Sequence, residues 1–395
     1  MAQDQDLRIE PDHAFIKHLA RNGGATAKRC FQCATCSVVC GLSPADKPFP
    51  RKEMLWAQWG LKDRLLTDPD VWLCHQCNDC TARCPRDARP GDVLAAVRRA
   101  AIAEYAFPRW LGRLTGDPRA LPLLLAIPFV VVAIALSAAG TFFAPSVLEG
   151  TIEFAKLAPH SLIEPLYIGI SALVALAFVI GGVRFWRALD RRHGRQRNGS
   201  LIAAIWEIVA HRRFRECTAE RSRHFSHLLV FVGFVALAAT AGLAAIAQKV
   251  FDVYPPLPLG HPIKILGNIG AAMVGIGGAI LVWRRATGHD GSGRSTYFDW
   301  LFVLVLYSVA LTGILCEIVR LSGSPAAYTI YYVHLSLVMF LLGYAPYTKF
   351  AHFWYRALSM VYAEARSPFA SRSAAAVART DAGGEQPSAS EQKAA

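Results

Sequence analysis

Hydrophobic and polar positions divide the chain into two unlike parts. Up to about residue 114 the sequence is polar and charged, with short apolar stretches between turns. From Leu121 to about Tyr347 it is mostly apolar, and its charges fall in short patches. This division predicts a small soluble domain followed by a membrane domain.

Six apolar stretches in the second part each approach the ~20 residues that a helix needs to cross a bilayer. They are residues 121–144, 162–189, 226–250, 262–283, 299–321 and 327–349. In the first part, apolar residues recur at helical spacing, which predicts helices over residues 11–21, 51–60, 61–66 and 91–109. The last of these is expected to link the soluble domain to the membrane surface. Trp56, Trp59 and Trp72 are expected to pack as apolar cover in the soluble domain.

Arginine dominates one set of loops. Ten arginines lie between positions 187 and 223, whereas the loops on the other side carry only Lys156, Lys249 and Arg320 near their ends. The excess of basic residues in loops marks the cytoplasmic side, so both termini and the soluble domain are expected there. Membrane topology also accounts for the net charge of +13 better than nucleic-acid binding does.

The predicted fold is therefore mostly α. Residues 1–114 are expected to form the soluble domain with its linker helix, and residues 115–360 the six-span bundle. Residues 361–395 are rich in Ala, Ser and Gly and are expected to be a disordered tail.

Eight of the ten cysteines lie in two matching runs with the spacing C-x2-C-x2-C-x3-C, the second followed by Pro85. This spacing is typical of two [4Fe–4S] clusters, in which three cysteines of a run hold one cluster and the fourth reaches the other. Zinc does not need the third cysteine of a run, and disulfides are disfavoured by crowding and by the lack of a secretory signal. The predicted ligands are Cys30, Cys33, Cys36 and Cys84 for cluster 1, and Cys74, Cys77, Cys80 and Cys40 for cluster 2.

Histidines in or beside the apolar stretches are candidate haem ligands, because ionisable groups in a membrane are costly and usually functional. His334 and His352 are 18 residues apart, which on one helix is five turns, or about 27 Å. That spacing suits two stacked haems. We expect His352 to pair with His227, with His224 as the alternative, and His334 with His261.

Lys264 lies one turn beyond His261. It is a candidate to hydrogen-bond a quinone carbonyl or to receive a proton near the outer haem, and its structural alternative is an interfacial anchor. Glu317 is a second ionisable candidate in the fifth stretch. Cys217 and Cys316 lack partners at ligand spacing and are expected to be structural.

Two segments carry a resemblance to known families. The cysteine runs, with Pro50-Arg51-Lys52 and Trp56-Ala57-Gln58-Trp59-Gly60 between them, resemble the C subunit of heterodisulfide reductase. Residues 214–217 and 223–234 are similar to the membrane E subunit of that enzyme and to the cytochrome b gamma subunit of nitrate reductase. The fused pattern resembles the C subunit of the quinone-interacting membrane-bound oxidoreductase complex. In the gamma subunit a second haem histidine would fall at Leu237, so the outer haem is expected to use His261 instead.

The resemblance implies a dihaem cytochrome b bundle and electron transfer between the quinone pool and flavin-bearing A and B subunits, with adenylylsulfate reductase beyond them. It implies haem b, two [4Fe–4S] clusters and quinone as substrate. We find no catalytic nucleophile or nucleotide-binding glycine loop, so no catalytic residue is predicted. Two alternatives stay open: a subunit of a heterodisulfide reductase-like or sulfite-reducing complex, and a non-redox membrane anchor for a soluble reductase.

Overall fold

The computed structural model describes residues 10–43, 47–142, 151–195, 199–210, 221–288 and 293–366 of the 395-residue chain. Helices are its regular elements, and these residues contain no β-strand. The prediction of a mostly α fold is therefore confirmed. Cys217, the resembling segment around it, and the predicted tail beyond residue 366 lie outside the described residues.

The described residues before position 106 hold the eight clustered cysteines, and we call this part the cysteine domain. It contains six short α-helices and one longer α-helix. Asp12 caps the first helix by accepting a hydrogen bond from the backbone N–H of Phe15 at 2.8 Å. The longest helix begins with Pro90 and buries an apolar stripe that includes Val93, Val97 and Ala101. In order the helices are α1 (His13–Leu19), α2 (Thr35–Val38), α3 (Arg51–Gln58), α4 (Lys62–Leu66), α5 (Asp70–Leu73), α6 (Asp79–Ala82) and α7 (Pro90–Tyr105).

Helix α7 forms the centre of this domain, and most of its residues are buried there. Its apolar stripe belongs to a core that also contains Trp72, while Trp56 packs against the core from the side. Trp59 is 47% exposed, so its predicted covering role is wrong. The helix ends at Tyr105, three residues before Pro108, and the short helix α8 (Arg109–Leu114) follows. A residue before proline is disfavoured in the helical conformation, which explains the break.

Six helices in the described part of the chain are long and apolar enough to cross a membrane. The chain is therefore a multi-pass membrane protein, as predicted. These helices are α9 (Leu121–Ala138), α11 (His160–His193), α13 (Arg221–Phe251), α14 (Pro262–Ala286), α15 (Tyr297–Leu321) and α16 (Ala326–Gly343). Three others lie between or after them: α10 (Phe154–Leu157), α12 (Leu201–Ala210) and α17 (His352–Arg366).

Helices α13 and α14 pack through small residues. A Cβ atom added at Gly233 would lie 2.8 Å from the carbonyl oxygen of Gly270. One added at Gly277 would lie 2.9 Å from the carbonyl oxygen of Ser226. Small residues allow this close approach, which is how helices associate where lipid removes the hydrophobic driving force.

The sixth span is shorter than predicted. Helix α16 ends at Gly343, two 3₁₀ turns containing Pro346 follow, and α17 begins at His352. The expectation that His334 and His352 share one continuous helix is therefore wrong, because proline removes a backbone donor and interrupts the helix. Helix α17 also passes through the predicted domain boundary at residue 360, and Tyr362 is fully buried.

The cysteine domain is fixed to one end of the bundle, which we call the domain end. The Trp72 ring stacks on Tyr355 of α17 with centroids 5.2 Å apart. The Arg184 guanidinium of α11 donates to the Ala106 carbonyl at 2.7 Å, and the Tyr347 hydroxyl donates to the Phe107 carbonyl at 2.6 Å. The opposite end, where α14 begins at Pro262, is the far end.

Candidate functional site

Two pockets in the cysteine domain each gather four cysteine side chains. Pocket 1 is lined by Cys30, Cys33, Cys36 and Cys84. Pocket 2 is lined by Cys40, Cys74, Cys77 and Cys80. These are the two quartets that the spacing predicts, including the exchange of the fourth cysteine between the runs.

The two runs fold alike because each contains residues in the left-handed conformation. Gln32 and Ala34 have φ angles of 60° and 68°, and Gln76 and Asn78 have φ angles of 54° and 67°. These residues curl each loop around its pocket before a one-turn helix, α2 or α6, begins.

Backbone amides in the curled loops point at sulfur. The N–H of Gln32 donates to Cys30 Sγ at 3.4 Å, and the N–H of Gln76 donates to Cys74 Sγ at 3.3 Å. Hydrogen bonds of this kind stabilise the thiolate and tune the potential of a bound cluster.

The donor set suits iron. Burial, reinforced by neighbouring thiolates, raises the pKa of Cys36 to about 11 and that of Cys40 to about 12. Burial raises the pKa of Cys80 as well. Thiolates are the form that binds metal, so a bound cation must offset this cost of ionisation. Soft sulfur quartets of this kind hold iron–sulfur clusters.

The pockets differ in their surroundings. Cys33 of pocket 1 is exposed, and Phe31 at the same pocket is 68% exposed. Pocket 2 is lined by the buried side chains of His75, Gln76 and Asn78. Pocket 1 therefore bears the more exposed cysteine and an exposed aromatic ring, whereas the polar side chains around pocket 2 are buried.

Helix α17 connects pocket 2 with the bundle. The guanidinium of Arg356 donates to His75 Nε2 at 2.5 Å, and His75 directly follows Cys74. Arg98 donates to the carbonyl of Cys74 at 3.0 Å. His352 lies one turn before Arg356 on α17.

Sequence reasoning missed His75, Arg98 and Arg356. Two signals were available: a histidine next to a predicted ligand, and an arginine one turn from a predicted haem histidine.

His352 presents the tautomer that a metal ligand needs. Its Nδ1 lies 2.7 Å from the carbonyl oxygen of Lys349, so Nδ1–H donates and Nε2 keeps a lone pair. Metal-bound histidines commonly donate their other ring N–H to a carbonyl in this way. Burial lowers the pKa of His352 to about 4, against the raising effect of the hydrogen bond to the Lys349 carbonyl. The positive charges of Lys349, Arg356 and Arg98 add to the lowering. The imidazole is therefore neutral at physiological pH.

His334 also keeps a lone pair on Nε2, because its Nδ1–H is the donor. Its Nδ1 lies 3.0 Å from the Thr312 hydroxyl, which itself donates to the Ser308 carbonyl at 2.7 Å. The hydroxyl oxygen therefore accepts from Nδ1–H of His334. The ring also lies against Gly313, where an added Cβ would be 3.2 Å from Cε1.

His261 has the opposite tautomer. It caps α14, and its Nδ1 accepts from the backbone N–H of Ile263 at 3.3 Å. The ring proton then lies on Nε2, so this geometry argues against the predicted role of His261 as an outer haem ligand. His224 and His227 are half-buried in the first two turns of α13.

Lys264 is engaged by a neighbouring helix. Its ammonium lies 2.8 Å from a carboxylate oxygen of Glu317 on α15, and the Asn268 amide donates to the other oxygen at 3.2 Å. The structure thus joins two ionisable candidates of the sequence into one polar group near the far end.

Comparisons with known proteins match both halves of the chain. Residues 26–88 match the family model of the 4Fe-4S dicluster domain. Residues 114–374 match the model of Citrate utilization protein B. The E. coli protein of that name is 27% identical over 318 residues, which cover 73% of this chain and 80% of the relative. No solved structure matches the chain.

The cysteine domain also has archaeal relatives. A protein of Archaeoglobus profundus, described as like the C subunit of heterodisulfide reductase, is 36% identical over 108 residues, which cover 27% of this chain and 56% of the relative. The C subunit of the H(2):CoB-CoM heterodisulfide,ferredoxin reductase of Methanothermobacter marburgensis is 36% identical over 101 residues, which cover 25% of this chain and 53% of the relative. The chain thus spans just over half the length of these two relatives.

An iron–sulfur domain joined to six apolar helices gives the chain a membrane-associated electron-transfer role. The match over residues 114–374 covers well over half of the 395 residues. The chain therefore belongs to the Citrate utilization protein B family.

Proposed function

We propose that the chain is the membrane subunit of a respiratory redox complex. It transfers electrons between the quinone pool and a cytoplasmic flavin or iron–sulfur partner, through haem b and two [4Fe–4S] clusters. The observation that carries this proposal is the contact between Arg356 on α17 and His75 beside pocket 2. It joins the helix that bears the predicted haem histidine to the shell of a predicted cluster.

The same contact gives the electron path an order. His352, Arg356 and His75 lead from the bundle to pocket 2, whose polar lining side chains are buried. Pocket 1 lies on the solvent side, because Cys33 is exposed there. Electrons therefore pass between the membrane and cluster 2, then between cluster 2 and cluster 1, and then to or from the soluble partner.

His352 and His227 would hold the haem at the domain end. The fit rests on the free Nε2 lone pair and on the neutral imidazole of His352. A haem iron, when bound, accepts and donates one electron at a time. Lys349 keeps the ring of His352 oriented through its carbonyl.

A second haem near the far end would use His334, with its ring oriented by Thr312. His261, the second ligand that the sequence suggests, would first have to give up its cap on α14.

Quinone is proposed to bind near Lys264. The lysine is paired with Glu317, so the two act together: the ammonium can donate to a quinone oxygen while the carboxylate can accept a proton. This role requires a substrate oxygen to share the lysine with Glu317.

Different relatives suggest different soluble partners. The family's name favours a partner that serves citrate utilization. The cysteine domain favours a heterodisulfide reductase-like partner. Flavin-bearing A and B subunits and adenylylsulfate reductase remain the partners that the resemblance suggests.

Anaerobic purification of the full chain tests this function. We expect about eight non-haem irons and about eight acid-labile sulfides per chain, because two [4Fe–4S] clusters are proposed. Reduced-minus-oxidised spectra should show haem b, and a quinol should reduce part of the haem and cluster absorbance. A non-redox anchor predicts a protein without Soret absorbance and with no response to quinol. That result would reject the proposal.

A further inference from the structure

The rim of pocket 1 is an open part of the cysteine domain. Phe31, Arg51 and Arg86 line it, and every residue that lines this pocket comes from the cysteine domain. Phe31 is 68% exposed, and the guanidinium carbon of Arg86 lies 4.1 Å from the centre of its ring. Phe31 thus presents a large apolar ring to solvent beside the exposed Cys33.

Basic side chains dominate the charge of this rim. Four exposed arginines lie on the segments that bear pocket 1: Arg29, Arg51, Arg83 and Arg86. Asp87 accepts from Arg29 at 3.1 Å, but both side chains are more than half exposed, so this pair is weak. Phe31, Arg51 and Arg86 line pocket 1, and Arg83 directly precedes its cysteine Cys84. We call these four residues the basic rim.

We propose that the basic rim is the docking surface for an acidic face of the soluble redox partner. The inference rests on the proposed function and names the chemistry of its partner. Aromatic and arginine side chains are the residues that most often carry binding energy at interfaces. Complementary charge raises the association rate and fixes the orientation of the partner. On docking, one electron leaves the reduced centre of one protein and enters the oxidised centre of the other.

Pocket 2 does not provide a second docking surface for the partner. Its lining residue His75 contacts Arg356 of α17, and Leu73, which immediately precedes Cys74, packs in a cluster with Met360 and Ala204. The bundle therefore occupies that side of the domain.

Electron entry from an acidic flavodoxin into the full-length protein tests the proposal. Reduced flavodoxin is mixed with the oxidised, detergent-solubilised protein in a stopped-flow instrument, and cluster bleaching is followed. The test variant is Arg83→Glu with Arg86→Glu. The matched control is Lys17→Glu with Arg21→Glu, which makes the same change of charge at exposed positions of the same domain.

At low ionic strength we expect the rim variant to slow cluster reduction about tenfold or more, within the range of electrostatic steering. The control should slow it by less than about twofold, because Lys17 and Arg21 line neither pocket. Added salt should lower the wild-type rate toward that of the rim variant. Arg86→Gln should give an intermediate rate.

Equal slowing in the rim and control variants would overturn the proposal, and so would a wild-type rate in the rim variant. The same measurement in nanodiscs of neutral or anionic lipid tests for a lipid role. If the rim variant slows cluster reduction only in anionic lipid, the rim binds lipid headgroups and the docking proposal is overturned. Iron content and cluster potentials are measured on the same samples. Slower entry with unchanged clusters supports docking, whereas clusters missing from every sample would reject the proposed function itself.

Discussion

The cysteine domain and the membrane bundle build their candidate redox sites differently: the domain uses short loops, and the bundle uses side chains from separate helices. In the domain, each cysteine quartet comes from two short loops whose left-handed residues repeat from run to run. In the bundle, the candidate histidines are spread over different helices, and two 3₁₀ turns separate the helix of His334 from that of His352. Local spacing therefore specifies the sulfur sites, whereas helix packing and breaks decide which imidazoles meet.

The largest effect is expected when one cysteine is removed. Cys80→Ser should eliminate cluster 2 and abolish electron transfer to the soluble domain, because the serine hydroxyl is a poor ligand for iron. Non-haem iron should fall from about eight to about four per chain. Metal analysis and EPR of the dithionite-reduced protein measure this loss.

The control is Cys316→Ser, a buried cysteine of α15 outside both pockets. It should leave iron unchanged. An equal loss of iron in both variants would show that the pockets do not hold separate clusters.

The next largest effect is expected at His352. His352→Ala should remove the haem at the domain end and leave both clusters in place, because the cysteine pockets do not depend on this imidazole. His352→Met should retain the haem and raise its potential, since thioether ligation has that effect. Pyridine haemochrome assays and potentiometric titration measure both outcomes. An unchanged haem content in His352→Ala would contradict the assignment.

A moderate effect is expected at a buried carboxyl pair that lies away from the sulfur pockets. Glu53 is fully buried near Asp68, and Lys52 bridges both at 3.4 Å and 3.2 Å. Burial, reinforced by the charge of Asp68, raises the pKa of Glu53 well above its usual 4.5. Folding therefore favours the protonated acid. Its contribution to stability is complete below the unfolded pKa of 4.5 and is lost as pH rises through the raised folded pKa.

Glu53→Gln mimics the protonated acid, so it should remove this loss. We expect the thermal midpoint of cluster bleaching to fall less with rising pH in the variant than in the wild type. Glu104→Gln, a part-exposed residue of α7, is the control and should retain the wild-type slope. Identical slopes in Glu53→Gln and wild type would show that Glu53 does not titrate in this window.

The smallest effect is expected at His261. His261→Asn keeps an acceptor for the cap of α14, because asparagine is a favourable N-cap residue. We therefore expect stability and total haem to change little. Loss of a haem in this variant would show that His261 exchanges its cap for iron, and would restore the ligand role that the sequence suggests.

The sequence predicted well what depends on local spacing. The six spans, the mostly α fold and the grouping of the cysteines all follow from periodicity and short motifs. The break between Gly343 and His352 was missed because the apolar pattern continues through Pro346. The contact of Arg356 with His75 joins residues 281 positions apart, and no local pattern reports it.

The tautomers of the candidate histidines could not be predicted from the sequence either. His261 and His334 differ in tautomer because their Nδ1 partners differ, a backbone N–H in one case and a hydroxyl in the other. Those partners are fixed by a helix cap and by the packing of α15 against α16.

Rapid-freeze EPR after mixing the oxidised full-length protein, in nanodiscs, with a quinol tests the central claim most directly. We predict that haem is reduced first, that a cluster signal follows, and that Cys80→Ser stops electrons before cluster 1. Cluster reduction at the wild-type rate in His352→Ala, or no cluster signal at all after haem reduction, would contradict a path from the bundle through α17 to pocket 2.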